Sequence, residues 1–93
     1  MVREFQGIAE LEKHIGQELG ASDWVTVDQD RINKFADATG DHQWIHIDEE
    51  KAKDGPFGST IAHGFLTLSL LPLLGAEVMN VTGMKMKINY GLN

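Results

Sequence analysis

The run Ile61-Ala62-His63-Gly64-Phe65-Leu66-Thr67-Leu68-Ser69-Leu70-Leu71-Pro72-Leu73-Leu74-Gly75-Ala76-Glu77-Val78-Met79 decides how the fold is read. It is apolar on almost every side of a helical wheel, and a helix apolar all round has to be covered on all sides. The pattern therefore calls for a helix enclosed by a sheet or by a partner subunit. Its length approaches the roughly 20 residues of a membrane span. However, His63, Thr67, Ser69, Pro72 and Glu77 interrupt it, and no Lys or Arg flanks it closely. Those features favour a buried helix of a soluble protein over a span. Pro72 lacks an N–H and predicts a bend.

Upstream, Ile8, Leu11, Ile15 and Leu19 recur at spacings of 3, 4 and 4, the stripe of an amphipathic helix that Gly20 is placed to end. Trp24-Val25-Thr26-Val27 has the β-branched character of a short strand. Asp28 reads as an N-cap for a helix over 29–39, with Ile32, Phe35 and Ala36 on its inner face and Gly40 as its left-handed stop. Residues 41–47 are too short and mixed for a regular element. Asp48 predicts the cap of a one-turn helix through Lys53, with Glu49 and Glu50 at the positive end of its dipole. Residues 54–58 are a turn-rich loop. Downstream, Met84, Met86, Ile88 and Tyr90 alternate with Lys85, Lys87 and Asn89, which predicts a strand over 84–92.

A chain of 93 residues is one domain at most. Its net charge of −6 argues against nucleic acid, which needs clustered Lys and Arg to neutralise phosphate. The only basic cluster, Lys85 with Lys87, fits the solvated face of the expected strand. There is no Cys, so disulfides and thiolate metal sites are excluded. The opening Met1-Val2-Arg3-Glu4-Phe5 lacks the apolar run of a signal peptide, which makes the cytoplasm the expected location.

Chemistry concentrates in Thr39-Gly40-Asp41-His42-Gln43-Trp44-Ile45-His46-Ile47-Asp48 and in Ala62-His63-Gly64. Asp41 alone reads as a surface acid, and His46 between two isoleucines reads as a satisfied structural histidine. Together they form an acid/base pair five residues apart, just past a helix stop, and Gly64 offers a backbone N–H that a ligand can approach closely. His63 reads as closing the loop at the helix start, Asp48 as a cap, and Trp44 as either a pocket wall or plain core. His42 and His46 are four apart, a zinc spacing on a helix, with Asp41 or Asp48 as a conceivable third ligand. A segment that follows a helix-ending Gly argues against that geometry, so no metal or other cofactor is expected.

These two blocks resemble the signature of the MaoC-like dehydratases, the R-specific enoyl-CoA hydratases or hydratase 2 family. Thr39-Gly40-Asp41, Ile45-His46 and Asp48 match it. Gln43-Trp44 stands where Asn-Pro is usual, as in the branch related to nodulation protein N, which the segment Gly20 to Trp24 also resembles. The resemblance implies an α+β hotdog fold, a long central helix wrapped by a curved antiparallel sheet. It implies a hydro-lyase that adds water to a trans-2-enoyl thioester to give the (R)-3-hydroxyacyl thioester. Asp41 and His46 would be its catalytic dyad, with Gly64, His63 and Trp44 forming the oxyanion and substrate site. The partners implied are an acyl-CoA thioester and a second copy of the chain, with no membrane and no nucleic acid. Because only two good strand candidates are present, residues 1–93 are expected to be the N-terminal portion of the domain, with little activity by itself. Two other functions compete: a non-catalytic acyl-thioester-binding or assembly module, and a hotdog thioesterase using Thr67, Ser69 or Glu77.

Overall fold

The computed structural model describes residues 2–92 and divides them into two compact units. The unit of residues 24–72 carries the candidate chemistry. Helix α2 (Gln29–Thr39) is set by its ends: the Asp28 carboxylate accepts from the Arg31 N–H at 2.9 Å, and Gly40 adopts φ 82° while its N–H returns to the Ala36 carbonyl. Both ends are as the sequence predicts. Ile32 and Ala36 are buried beneath this helix. On its exposed side Asp30 and Lys34 pair at 2.8 Å. The hydrogen bond that the Lys34 ammonium donates to the Asp30 carboxylate raises the Lys34 pKa.

The connection after Gly40 is more regular than its composition suggests. Residues Trp44–Ile47 form a single helical turn, α3, with the His46 N–H bonded to the Gln43 carbonyl at 3.0 Å. Helix α4 (Glu49–Lys53) follows directly, and the Asp48 carboxylate accepts from the Lys51 N–H at 3.0 Å, as expected of a cap.

The long helix expected over 61–79 is broken. Residues 61–63 are extended, α5 covers Gly64–Ser69, and α6 covers Leu71–Ala76. Pro72 has no N–H to give to the Leu68 carbonyl, so the ladder fails there. Leu70 instead bonds three residues back, to the Thr67 carbonyl at 3.2 Å. The hydroxyl of Ser69 donates to the Leu66 carbonyl at 2.7 Å, taking an acceptor the backbone would otherwise use.

The other unit comprises residues 1–23 and 73–93, of which 2–23 and 73–92 are described. Its strands differ from both candidates read in the sequence. Residues 24–27 and 84–92 are not strands; β1 (Arg3–Gln6) and β2 (Met79–Thr82) are. They pair in parallel, Arg3 opposite Met79 and Phe5 opposite Val81, where the resemblance led us to expect an antiparallel sheet. Phe5 anchors the pair at 1% exposure, and the Thr82 hydroxyl donates to its carbonyl at 3.2 Å. Helix α1 (Gly7–Glu12) stops well short of the predicted Leu19. Lys13, His14 and Ile15 bond three residues back, tightening the chain into turns before Gly16 at φ 84°. Ile8 and Ile15 remain exposed, and an amphipathic stripe with nothing to pack on adds little to helix stability. A mixture of short helices and one small sheet keeps the chain in the α+β class.

Candidate active site

Two histidines are the only polar or charged side chains buried among the described residues, His46 at 7% exposure and His63 at 2%. Each is held by a main-chain carbonyl. A carbonyl oxygen only accepts, so the ring nitrogen facing it carries the proton. His46 Nδ1–H donates to the Ile61 carbonyl at 2.7 Å, and His63 Nε2–H donates to the Asp41 carbonyl at 3.0 Å. In the neutral tautomers this leaves His46 Nε2 and His63 Nδ1 as acceptors. The second of these is buried without a partner among the described residues. The rings stack with centroids 3.8 Å apart and planes 24° apart, and Phe35 packs on the His63 ring at 4.9 Å.

Asp41 lies on the exposed rim, its carboxylate accepting a long bond from the Gln43 N–H at 3.3 Å. One ligating atom each from Asp41, His46 and His63 lies within 4.8 Å of the others. Atoms that close can hold a water between two of them, since a water has two protons to donate. The same three atoms are close enough together to be candidate ligands of one metal ion. His42, considered as a ligand on sequence spacing, turns instead to Asp37 on the surface at 3.0 Å.

The remaining expected residues divide. Gly64 opens α5 and is exposed; its N–H, as the first of a helix, has no intrahelical acceptor. A Cβ built there would meet nothing within 4 Å, so neither packing nor a positive φ demands glycine. Trp44 is half-buried, with the Lys51 ammonium 4.6 Å from its ring and Gly55 so close that a Cβ there would approach the ring to 3.2 Å. Its defined contacts are thus with α4 and the turn after it. Asp48 is a cap. The Thr67 hydroxyl donates a long bond to the carbonyl of His63, the α5 N-cap, at 3.5 Å, and the Ser69 hydroxyl donates to the Leu66 carbonyl within α5.

Sequence reading overlooked Gln29 and Thr60. The Gln29 amide donates to the His46 carbonyl at 2.8 Å and accepts from the Thr60 hydroxyl at 2.6 Å. A glutamine in the first turn of a helix looks like solvated surface, and nothing local marked it out.

Residues 10–93 match the family model described as a MaoC like domain. The chain belongs to that family. It is 58% identical over 92 residues to 3-hydroxyacyl-thioester dehydratase Z of Mycobacterium tuberculosis, covering 99% of this chain and 61% of that protein. It is 54% identical to Nodulation protein N of Rhizobium leguminosarum bv. viciae, over 92% of this chain and 55% of that protein. The equivalent protein of Rhizobium meliloti is 50% identical over the same shares. The chain thus spans about six-tenths or less of the length of these curated relatives.

Proposed function

We propose that this chain carries the proton-transfer groups of a hydro-lyase acting on acyl thioesters, adding water to a trans-2-enoyl-CoA to give the (R)-3-hydroxyacyl-CoA and reversing that reaction. The observation that carries the reading is the convergence of the Asp41 carboxylate and the His46 ring, which bring a carboxylate oxygen and a ring nitrogen within 4.8 Å of each other. In its neutral tautomer His46 presents Nε2 as an acceptor. It takes a proton from the water as the water oxygen bonds to C3, and the imidazolium returns a proton to C2. Asp41 accepts the second O–H and orients the nucleophile. The Gly64 N–H meets the thioester oxygen as it gains enolate charge, and the open space where a Cβ would stand lets the ligand come close. His63 lies under the His46 ring.

The name of the mycobacterial relative, a 3-hydroxyacyl-thioester dehydratase, supports the same reaction class. Of the residues a thioesterase could use, the Thr67 and Ser69 hydroxyls donate to main-chain carbonyls, which leaves that reading Glu77. Exposed Phe65, Leu71, Met86 and Ile88 support a homodimer. The wider reading is a cytoplasmic enzyme in which these residues form part of a hotdog domain. Among the described residues no helix is long and apolar enough to cross a membrane.

Hydration of crotonyl-CoA by the full-length protein tests the assignment, with release of thiol from butyryl-CoA scoring thioesterase activity. Replacing His46→Gln or Asp41→Asn should lower kcat by about 10²–10⁴ with the melting temperature retained. Unchanged turnover in either variant would remove that residue from the mechanism. Binding without turnover by the wild-type protein would favour a non-catalytic module.

A further inference from the structure

We infer that Gln29 and Thr60 form a clamp that sets the direction in which His46 presents its free nitrogen. The hydrogen bonds around His46 make a closed circuit. Gln29 Nε2–H donates to the His46 carbonyl at 2.8 Å, His46 Nδ1–H donates to the Ile61 carbonyl at 2.7 Å, and the hydroxyl of Thr60, next to Ile61, donates to Gln29 Oε1 at 2.6 Å. The Ile61 N–H closes a parallel link to the Ile45 carbonyl at 3.0 Å. The backbone and the ring of one histidine are therefore both tied to the chain at 60–61.

The Gln29 amide is used completely. Its second N–H reaches Asn33 Oδ1 at 2.9 Å, so both hydrogens and the oxygen have partners. Its orientation is also forced. A flipped amide would set its oxygen against the His46 carbonyl, two acceptors with no proton between them. The circuit is sequence-distant, joining positions 17 and 31 residues apart, so no local element could supply it. What it leaves free is His46 Nε2, the atom that the proposed reaction uses. A positioning group of this kind acts through geometry, since a misplacement of about 1 Å at a reacting group can cost about 10²-fold in rate.

The consequence for turnover rests on the hydratase reading, whereas the clamp itself can be observed without turnover. In the full-length protein with 15N-labelled histidine, the His46 Nδ1–H resonance should be visible and slow to exchange. Gln29→Met and Thr60→Val, each close in shape to the original, should broaden or abolish it, and Thr60→Ser should restore it. The two losses should also not add, because either one opens the circuit. For crotonyl-CoA hydration, Gln29→Met should lower kcat by up to about 10²-fold with KM unchanged, and Thr60→Ser should recover most of the Thr60→Val loss. A wild-type protein that does not hydrate crotonyl-CoA overturns the hydratase reading alone, and the resonance then decides the clamp. A His46 resonance at its wild-type position and exchange rate in both variants overturns the clamp, as does wild-type kcat in an active Gln29→Met.

Discussion

The stretches 28–53 and 61–92 were equally suggestive as sequence, and they folded with opposite fidelity. In the first, Asp28, Gly40 and Asp48 stand where caps are expected, and each does a cap's work. In the second, an apolar run that asked for one helix became two, and an alternating run that asked for a strand became neither strand nor helix. Phe65 is 77% exposed, Met86 72% and Tyr90 99%. The difference is where the partner lies. A cap finds its hydrogen-bond partner three or four residues away, so the code is complete within a dozen residues. An apolar pattern specifies only that something must cover it.

That contrast can be broken or sharpened by substitution. The largest effect is expected where burial is complete. Phe5→Ala should cost about 3–5 kcal/mol in denaturant unfolding, since Phe5 is the most completely buried large side chain among the described residues. Phe65→Ala, apolar but exposed, is the matched control and should cost far less; equal costs would mean that the exposed face of α5 is covered in solution.

Gly40→Ala should cost about 1–2 kcal/mol. Nothing lies within 4 Å of the added Cβ, so the penalty comes from the positive φ alone. Asp28→Ala should cost about 1 kcal/mol, and Asp28→Asn, which keeps an acceptor for the Arg31 N–H, much less. If Asn fared as badly as Ala, the cap would be acting by charge rather than by hydrogen bonding.

Amide exchange reads the same contrast without substitution. Amides in the middle of α2 should be protected, while those of 84–92, which lie outside helices and strands, should exchange at close to the rate of a free chain. Protection of 84–92 in the dimer alone would identify the missing cover as a second copy. The smallest effect belongs to Lys34→Met. The Asp30–Lys34 pair is solvated, and its removal should leave the unfolding midpoint unchanged at neutral pH.

At the candidate site the same division holds. Asp41 and His46 were legible because spacing after a glycine stop and a family pattern both pointed to them. His63 and Gly64 were legible as a pair, but not the stacking of His63 on His46, which brings together rings 17 residues apart. Gln29 and Thr60 were not legible at all. Their types are common on surfaces, and their role exists only once α2, α3 and the segment before α5 meet.

What the sequence determined by itself was therefore local: the limits of α2, the start of α4, the turn chemistry at Gly40 and the residue types present at the candidate site. Each depends on bonds that close within a few residues, where the chain has few alternatives. Tertiary structure decided the rest. It chose 3–6 and 79–82 as strands over better-looking candidates, and paired them in parallel. It also turned two histidines toward main-chain carbonyls that fix which nitrogen of each remains free. Those outcomes compare long-range burial and hydrogen bonding among competing partners, and a periodicity contains no information about which partner will be there.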